Sequence, residues 1–215
     1  MSIFAAEGKL ARFLNGLGNL MVLNILTILC SIPIVTIGAA MTALYTMTMR
    51  MARNEEGGLI AGYVRAFRDN FRQATILWGI GGGVTAFMIF DIWLLRSVTG
   101  TFGLVYRGIL FALILLFLMF LVHTFAVLAR FENTTKNTAK NALLFCVGNL
   151  PQAALMLVVT LLPILLLTVS YRFLSIDILF GISGPAYLAG IYFKSTFRVY
   201  ENQELSSEKT EDSVY

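Results

Sequence analysis

The chain has 215 residues, of which 58% are hydrophobic and only 13% charged, with a mean hydropathy of +0.79. A soluble domain averages about 45–50% apolar and about 25% charged residues, so a water-soluble fold of this length would lack polar side chains to cover its surface. The composition therefore excludes a soluble globular domain and predicts an all-α, polytopic membrane protein. Its formal charge of +4 reflects which helix ends carry Lys and Arg, and no basic–aromatic motif suggests nucleic acid.

The opening MSIFAAEGKLARFLNG has the basic lead of a signal peptide, but the stretch after it lacks an A-x-A cleavage pattern and is expected to be retained. From Leu10 to Met49 the chain is apolar for about twice the length one span requires. SIPIVTIGAAMTALY, residues 31–45, interrupts it. Pro33 removes a backbone donor and pushes Ile32 out of helical angles. Val35, Thr36 and Ile37 are β-branched, and Gly38 has conformations closed to other residues. Together they predict a turn at 32–38, joining segments Arg12–Ser31 and Gly38–Met51 near the outer face. Asn15, Asn19 and Asn24 recur near the helical period and predict the polar stripe of an interfacial amphipathic helix.

Four further segments have spanning length: Ala74–Leu95, Gly108–Ala129, Gln152–Tyr171 and Ile176–Phe193. The expectation is six membrane segments, or five if the first stretch is one kinked helix. With the hairpin, all Lys and Arg except Arg96, Arg107 and Arg172 fall on one side, which the positive-inside tendency makes the cytoplasm. A bacterial cell membrane and a cytoplasmic C-terminus follow. The longest connecting loop is Ala52–Gln73. Residues 1–197 read as one transmembrane domain and 198–215 as a polar, disordered tail.

The motif N-x-x-Q-A occurs twice, at Asn70/Gln73/Ala74 and Asn149/Gln152/Ala153, with Pro151 beside the second. Each Asn is placed to cap a following helix, and Pro151 suits a first turn. Gly79 and Gly83 form a G-x-x-x-G pair that lets helices approach within the chain or against a partner. Asp91 is expected to pair with Arg96, Arg107 or Arg172. His123, the single histidine, is expected to bond a neighbouring helix and lies too far from Asp91 for a relay. Pro163 and Pro185 are expected to kink the last two spans. Cys30 and Cys146 show no metal or disulfide spacing, and no Ser/His/Asp or paired-carboxylate set appears. No enzyme, cofactor or metal is expected.

"NLMVLNILTILCSIPIVTIGAAMTALYTMTMRMARNEEG" and "AFRDNFRQATILW" resemble the YesL family of bacterial membrane proteins, a domain of unknown function; Pro33 to Tyr45 and Asn70/Gln73/Ala74 carry the likeness. The resemblance implies a role in carbohydrate uptake beside sugar ABC importers and supplies no catalytic residues. Glu132, Ala139, Phe145, Leu150 and Pro151 also match the spacing of the EAA loop by which importer permeases dock their ATPase. Asn133, Thr134 and Thr138 stand where that loop has Ala, Ala and Gly. The expected function is a non-enzymatic accessory subunit of a carbohydrate ABC importer. Its contacts would be Gly79, Gly83 and the two loops, its neighbours membrane lipid and permease subunits, with a homo-oligomer also allowed. The alternative is a stand-alone carrier or channel, which the scarcity of polar groups in the spans disfavours.

Overall fold

The computed structural model describes residues 2–193 except 56, 99, 132, 133, 171 and 173, so Glu132 and the tail at 198–215 lie outside the described residues. Among the described residues the ordered elements are all helical: α1 (Ser2–Ser31), α2 (Ile37–Ala52), α3 (Leu59–Leu94), α4 (Gly100–Arg130), α5 (Thr135–Gly148), α6 (Leu150–Val169), α7 (Leu174–Phe180) and α8 (Ser183–Phe193). Three stretches are long and apolar enough to cross a membrane: Phe13–Ser31, Leu59–Ser97 and Gly100–Arg130. The count rises to five if the bent pairs α5/α6 and α7/α8 each make one span. The helical membrane architecture expected from composition holds. The count of six needs α2 as well, and α2 has 16 residues against the roughly 20 of a span.

The break after α1 falls where the sequence placed it. Ile34–Thr36 form one 3-10 turn, and Thr36 Oγ1 donates to the carbonyls of Cys30 (2.5 Å) and Pro33 (2.6 Å), satisfying groups that the end of α1 leaves open. The chain then reverses along α1. The position of the turn differs from the expectation. Trp78 Nε1 donates to Ile34 O at 2.8 Å. Trp78 precedes the Arg96 end of α3 by about 25 Å of helix, so the turn rests on the flank of α3 and not beside the outer loop.

Ten of the 16 residues of α2 are buried. It is the core of the bundle, built from Ala, Gly, Thr and Met so that α1, α3, α4 and α8 can close around it. Gly38 sets the nearest approach: a Cβ there would lie 2.5 Å from Ala74 O and 2.7 Å from Trp78 Cβ. Its φ is not positive, so space, and not the conformational freedom expected of it, is what requires glycine. The C-terminus of α2 closes as a Schellman turn. Asn54 takes φ 55°, its N–H bonds Met51 O, and Glu55 N–H bonds Arg50 O, each at 3.0 Å. A hydrogen bond from Arg53, with Arg50 nearby, holds the Glu55 carboxyl below its usual range against slight burial. That contribution to stability is present above the ordinary carboxylate value and is lost as pH falls through the depressed one. At an exposed loop it is small.

The expected loop Ala52–Gln73 is mostly helix, since α3 runs unbroken for 36 residues, about 54 Å. Its first half packs on α2 through Tyr63, Ala66, Ala74 and Leu77. Its second half pairs antiparallel with α4, where Gly81 meets Leu121 and Trp78 meets Phe125. The two helices are joined through the turn Leu95–Ser97 and Gly100, whose φ of +93° needs glycine. The outer faces of this pair expose Ile80, Phe87, Phe90, Trp93, Phe102 and Phe111. An apolar surface that large is stable against lipid and not against water.

Candidate functional site

The polar surface of the bundle converges where α2, α3 and α4 meet at the Arg130 end. There a cavity of about 780 Å³ is lined by Arg50, Arg65, Asp69, Asn70, Gln73 and Arg130, among others. Helical spacing explains the gathering: residues 62, 65, 66, 69, 70 and 73 recur at three and four along one side of α3. Arg50 is shared with Glu55 at 3.5 Å. Arg65 has no ion-pair partner among the described residues, and neither has Asp69. Asn70 Nδ2 donates to Ala66 O at 3.0 Å, leaving Oδ1 to accept. Among the described residues the cavity is thus lined by three arginines, one of them held by Glu55, with one carboxylate and amide groups.

Asn70 therefore sits inside α3 and caps nothing, contrary to the sequence expectation, because the helix begins eleven residues earlier at Leu59. Asn149 does stand at the start of α6, with Pro151 in the first turn, but its side chain makes no capping bond. Gln73 Nε2 donates to Thr138 Oγ1 at 3.1 Å, which fastens α3 to α5. Among the described residues no group of three His, Cys, Asp or Glu could hold a metal ion.

Gly79 and Gly83 do not pack within the chain. A Cβ at either would meet nothing within 4 Å, while Gly81 between them lies against Leu121. Among the described residues Asp91 has no ion-pair partner: Tyr106 donates to its Oδ2 at 2.8 Å, and Arg107 turns instead to the carbonyls of Gly103 and Arg96. Tyr106→Phe should therefore lower the unfolding temperature slightly. Asp91→Asn, which can still accept, should cost less; equal losses in thermal unfolding would contradict this pairing. His123 bonds its own helix, through Nδ1 to Met119 O at 2.9 Å, and not a neighbouring one. Its buried Nε2 has no hydrogen-bond partner among the described residues, and its ring stands edge-on to Phe193.

Sequence reasoning misread Asn24. Asn15 and Asn19 are exposed, whereas Asn24 is fully buried and is not part of a surface stripe. It fills the break between α7 and α8. Nδ2 donates to Asp177 O (3.1 Å) and Ile178 O (2.7 Å), and Oδ1 accepts from Ile182 N (2.9 Å) and Ser183 N (2.8 Å). The expected last span is thus two helices bent by 45°, with Pro185 in the first turn of α8, and Pro163 lies inside α6. Irregular backbone at membrane depth needs such partners, since lipid offers none. An apolar groove of about 530 Å³ between α1, α6, α7 and α8 adjoins this break and reaches Asp177, whose buried Oδ2 has no hydrogen-bond partner among the described residues.

No curated protein and no solved structure matches the chain. Residues 20–92, about a third of the chain, match the family described as "Protein of unknown function, DUF624". The matched stretch runs from α1 through the Pro33 turn and α2 to nearly the end of α3, so the central helix and the α3 side of the basic cavity are what this chain has in common with that family.

Proposed function

We propose that this chain is a non-enzymatic accessory subunit of a carbohydrate ABC importer in the bacterial cell membrane, with the Arg130 end and the C-terminus in the cytoplasm. The carbohydrate assignment rests on the resemblance to the YesL family. The observation that supports a partner-binding role is the placement of α5. It meets α6 at 104°, is fastened to α3 through Gln73, and exposes Lys136, Asn137 and Lys140 beside Leu143, Leu144 and Val147. A surface helix with adjoining basic and apolar faces suits a protein contact at the membrane boundary. The open face at Gly79 and Gly83 offers a second contact within the bilayer.

Affinity purification of the full chain in mild detergent tests this. Two permease subunits should co-elute at fixed stoichiometry, and Lys136→Glu with Lys140→Glu should reduce their recovery at least about fivefold without lowering the yield of the chain itself. A chain that elutes alone and moves solute across liposomes would overturn it. That second reading, a stand-alone carrier, draws support from one feature: a discontinuous last span held by Asn24 next to a buried carboxylate, Asp177.

A further inference from the structure

We propose that the groove between α1, α6, α7 and α8 binds a free, protonated primary amine that carries an apolar body. This concerns binding by the chain alone and is independent of any importer association. Leu17, Leu20, Val159, Leu162, Phe180 and Leu188 give the groove apolar walls, and among the described residues Asp177 is the one charged group that lines it. An ionisable group inside a membrane bundle is costly to keep and marks a ligand or ion pathway. Asp177 Oδ2 is buried and has no hydrogen-bond partner among the described residues. No ion pair reaches it there either, since the salt bridges among them join Glu55 to Arg50 and Arg53.

Asn24, the nearest polar side chain, cannot supply the missing donor. Its Nδ2 already gives to the carbonyls of Asp177 and Ile178, and its Oδ1 only accepts. The groove therefore leaves open one carboxylate oxygen beside apolar walls. The complementary ligand has a positive charge, N–H donors and a hydrocarbon body. An anion would be repelled, and a quaternary ammonium brings no donor. An aminophospholipid would set its phosphate near the same carboxylate, with no described cation in the groove to receive it. The volume of about 530 Å³ lies within the range of small-molecule sites. Gly184 keeps one wall open, because a Cβ there would meet only Phe180 Cβ, at 3.9 Å.

The test is equilibrium dialysis of the full chain in a mild non-ionic detergent, corrected for uptake by empty micelles. The probes are octylammonium, octyltrimethylammonium, octanol and octanoate, which share one hydrocarbon chain and differ in the head. Octylammonium should bind about tenfold more tightly than octanol, the scale of one charge-assisted hydrogen bond. Octyltrimethylammonium should fall between them, and octanoate should bind weakest. Asp177→Asn should bring octylammonium within about threefold of octanol, while octanol itself changes less than about twofold. Retained octanol binding shows the groove intact in that variant, and the head-group series on the native chain stands without it. Gly184→Leu fills the groove and should weaken octylammonium and octanol alike, by about fivefold or more. Asp69→Asn, which alters an exposed carboxylate outside the groove, should change affinity less than about twofold. Equal binding of octylammonium and octanol overturns the proposal and leaves a plain apolar cleft. An Asp69→Asn loss equal to that of Asp177→Asn overturns it too, leaving only a diffuse surface field. Undiminished octylammonium binding by Gly184→Leu places the amine elsewhere, and displacement of octylammonium by phosphatidylethanolamine at equal concentration overturns the choice of a free amine.

Discussion

Asn24→Leu is expected to destabilise the protein by about 3 kcal/mol, although leucine matches asparagine in size and suits a membrane helix better. The loss comes from the backbone on the other side of the contact. Asp177 O keeps the N–H of Gly181 at 2.8 Å, but Ile178 O, Ile182 N–H and Ser183 N–H have no other partner among the described residues. Each orphaned buried group costs roughly 1–3 kcal/mol in a protein interior, and measured side-chain bonds within membranes average nearer 0.6. Three such groups give about 3 kcal/mol between those limits. Asn24→Asp keeps the two accepted bonds and loses both donated ones, of which only that to Ile178 O leaves a carbonyl without another partner among the described residues, so it should fall between leucine and the native residue. Asn19→Leu alters an exposed position and should leave stability unchanged. Thermal unfolding in detergent, read by retention on gel filtration, separates these. If Asn24→Leu and Asn19→Leu melt alike, Asn24 does not hold the α7–α8 break.

Nothing near Asn24 in sequence could have revealed this role, since its partners lie 153 to 159 residues away. The three asparagines looked like a stripe because their spacing approximates a turn, yet 19 to 24 is five residues and turns the side chain to another face. The Pro33 turn was legible for the opposite reason: proline, the β-branched run and glycine act on their own backbone. Its depth was not legible, because the Trp78 bond that fixes it joins positions 44 apart. The first half of α3 was read only as a connecting loop about a helix and a turn long, whereas Tyr63, Ala66, Ala74 and Leu77 keep the helical period through it and into the next span. Arg65, Arg68, Asp69 and Arg72 mark the solvent side of a helix too long for the bilayer alone, and Arg65 and Asp69 line the basic cavity. In the glycine-rich stretch the motif drew attention to 79 and 83, while the contact within the chain is made by Gly81.

Adding one methyl group at successive glycines should give three different outcomes, which tests the packing of α2 and the open face of α3 together. Gly38→Ala puts a carbon 2.5 Å from Ala74 O and 2.7 Å from Trp78 Cβ. The first is backbone and the second is fixed by it, so neither can rotate aside, and the helices must separate. Overpacking of this kind costs about 1–3 kcal/mol and sometimes more; with two immovable neighbours about 3 kcal/mol is expected. The loss should reach the Trp78–Ile34 bond beside it and with it the seat of the Pro33 turn. Gly81→Ala meets only methyl groups of Leu121, which can change rotamer, so about 1 kcal/mol is expected. Gly79→Ala and Gly83→Ala meet nothing and should gain up to about 1 kcal/mol from helix propensity. If those last two variants fold at least as well as the native chain yet recover fewer permease subunits, the face they share is an intermolecular contact. If recovery is unchanged, lipid alone covers it, and the partner surface must be sought on α5.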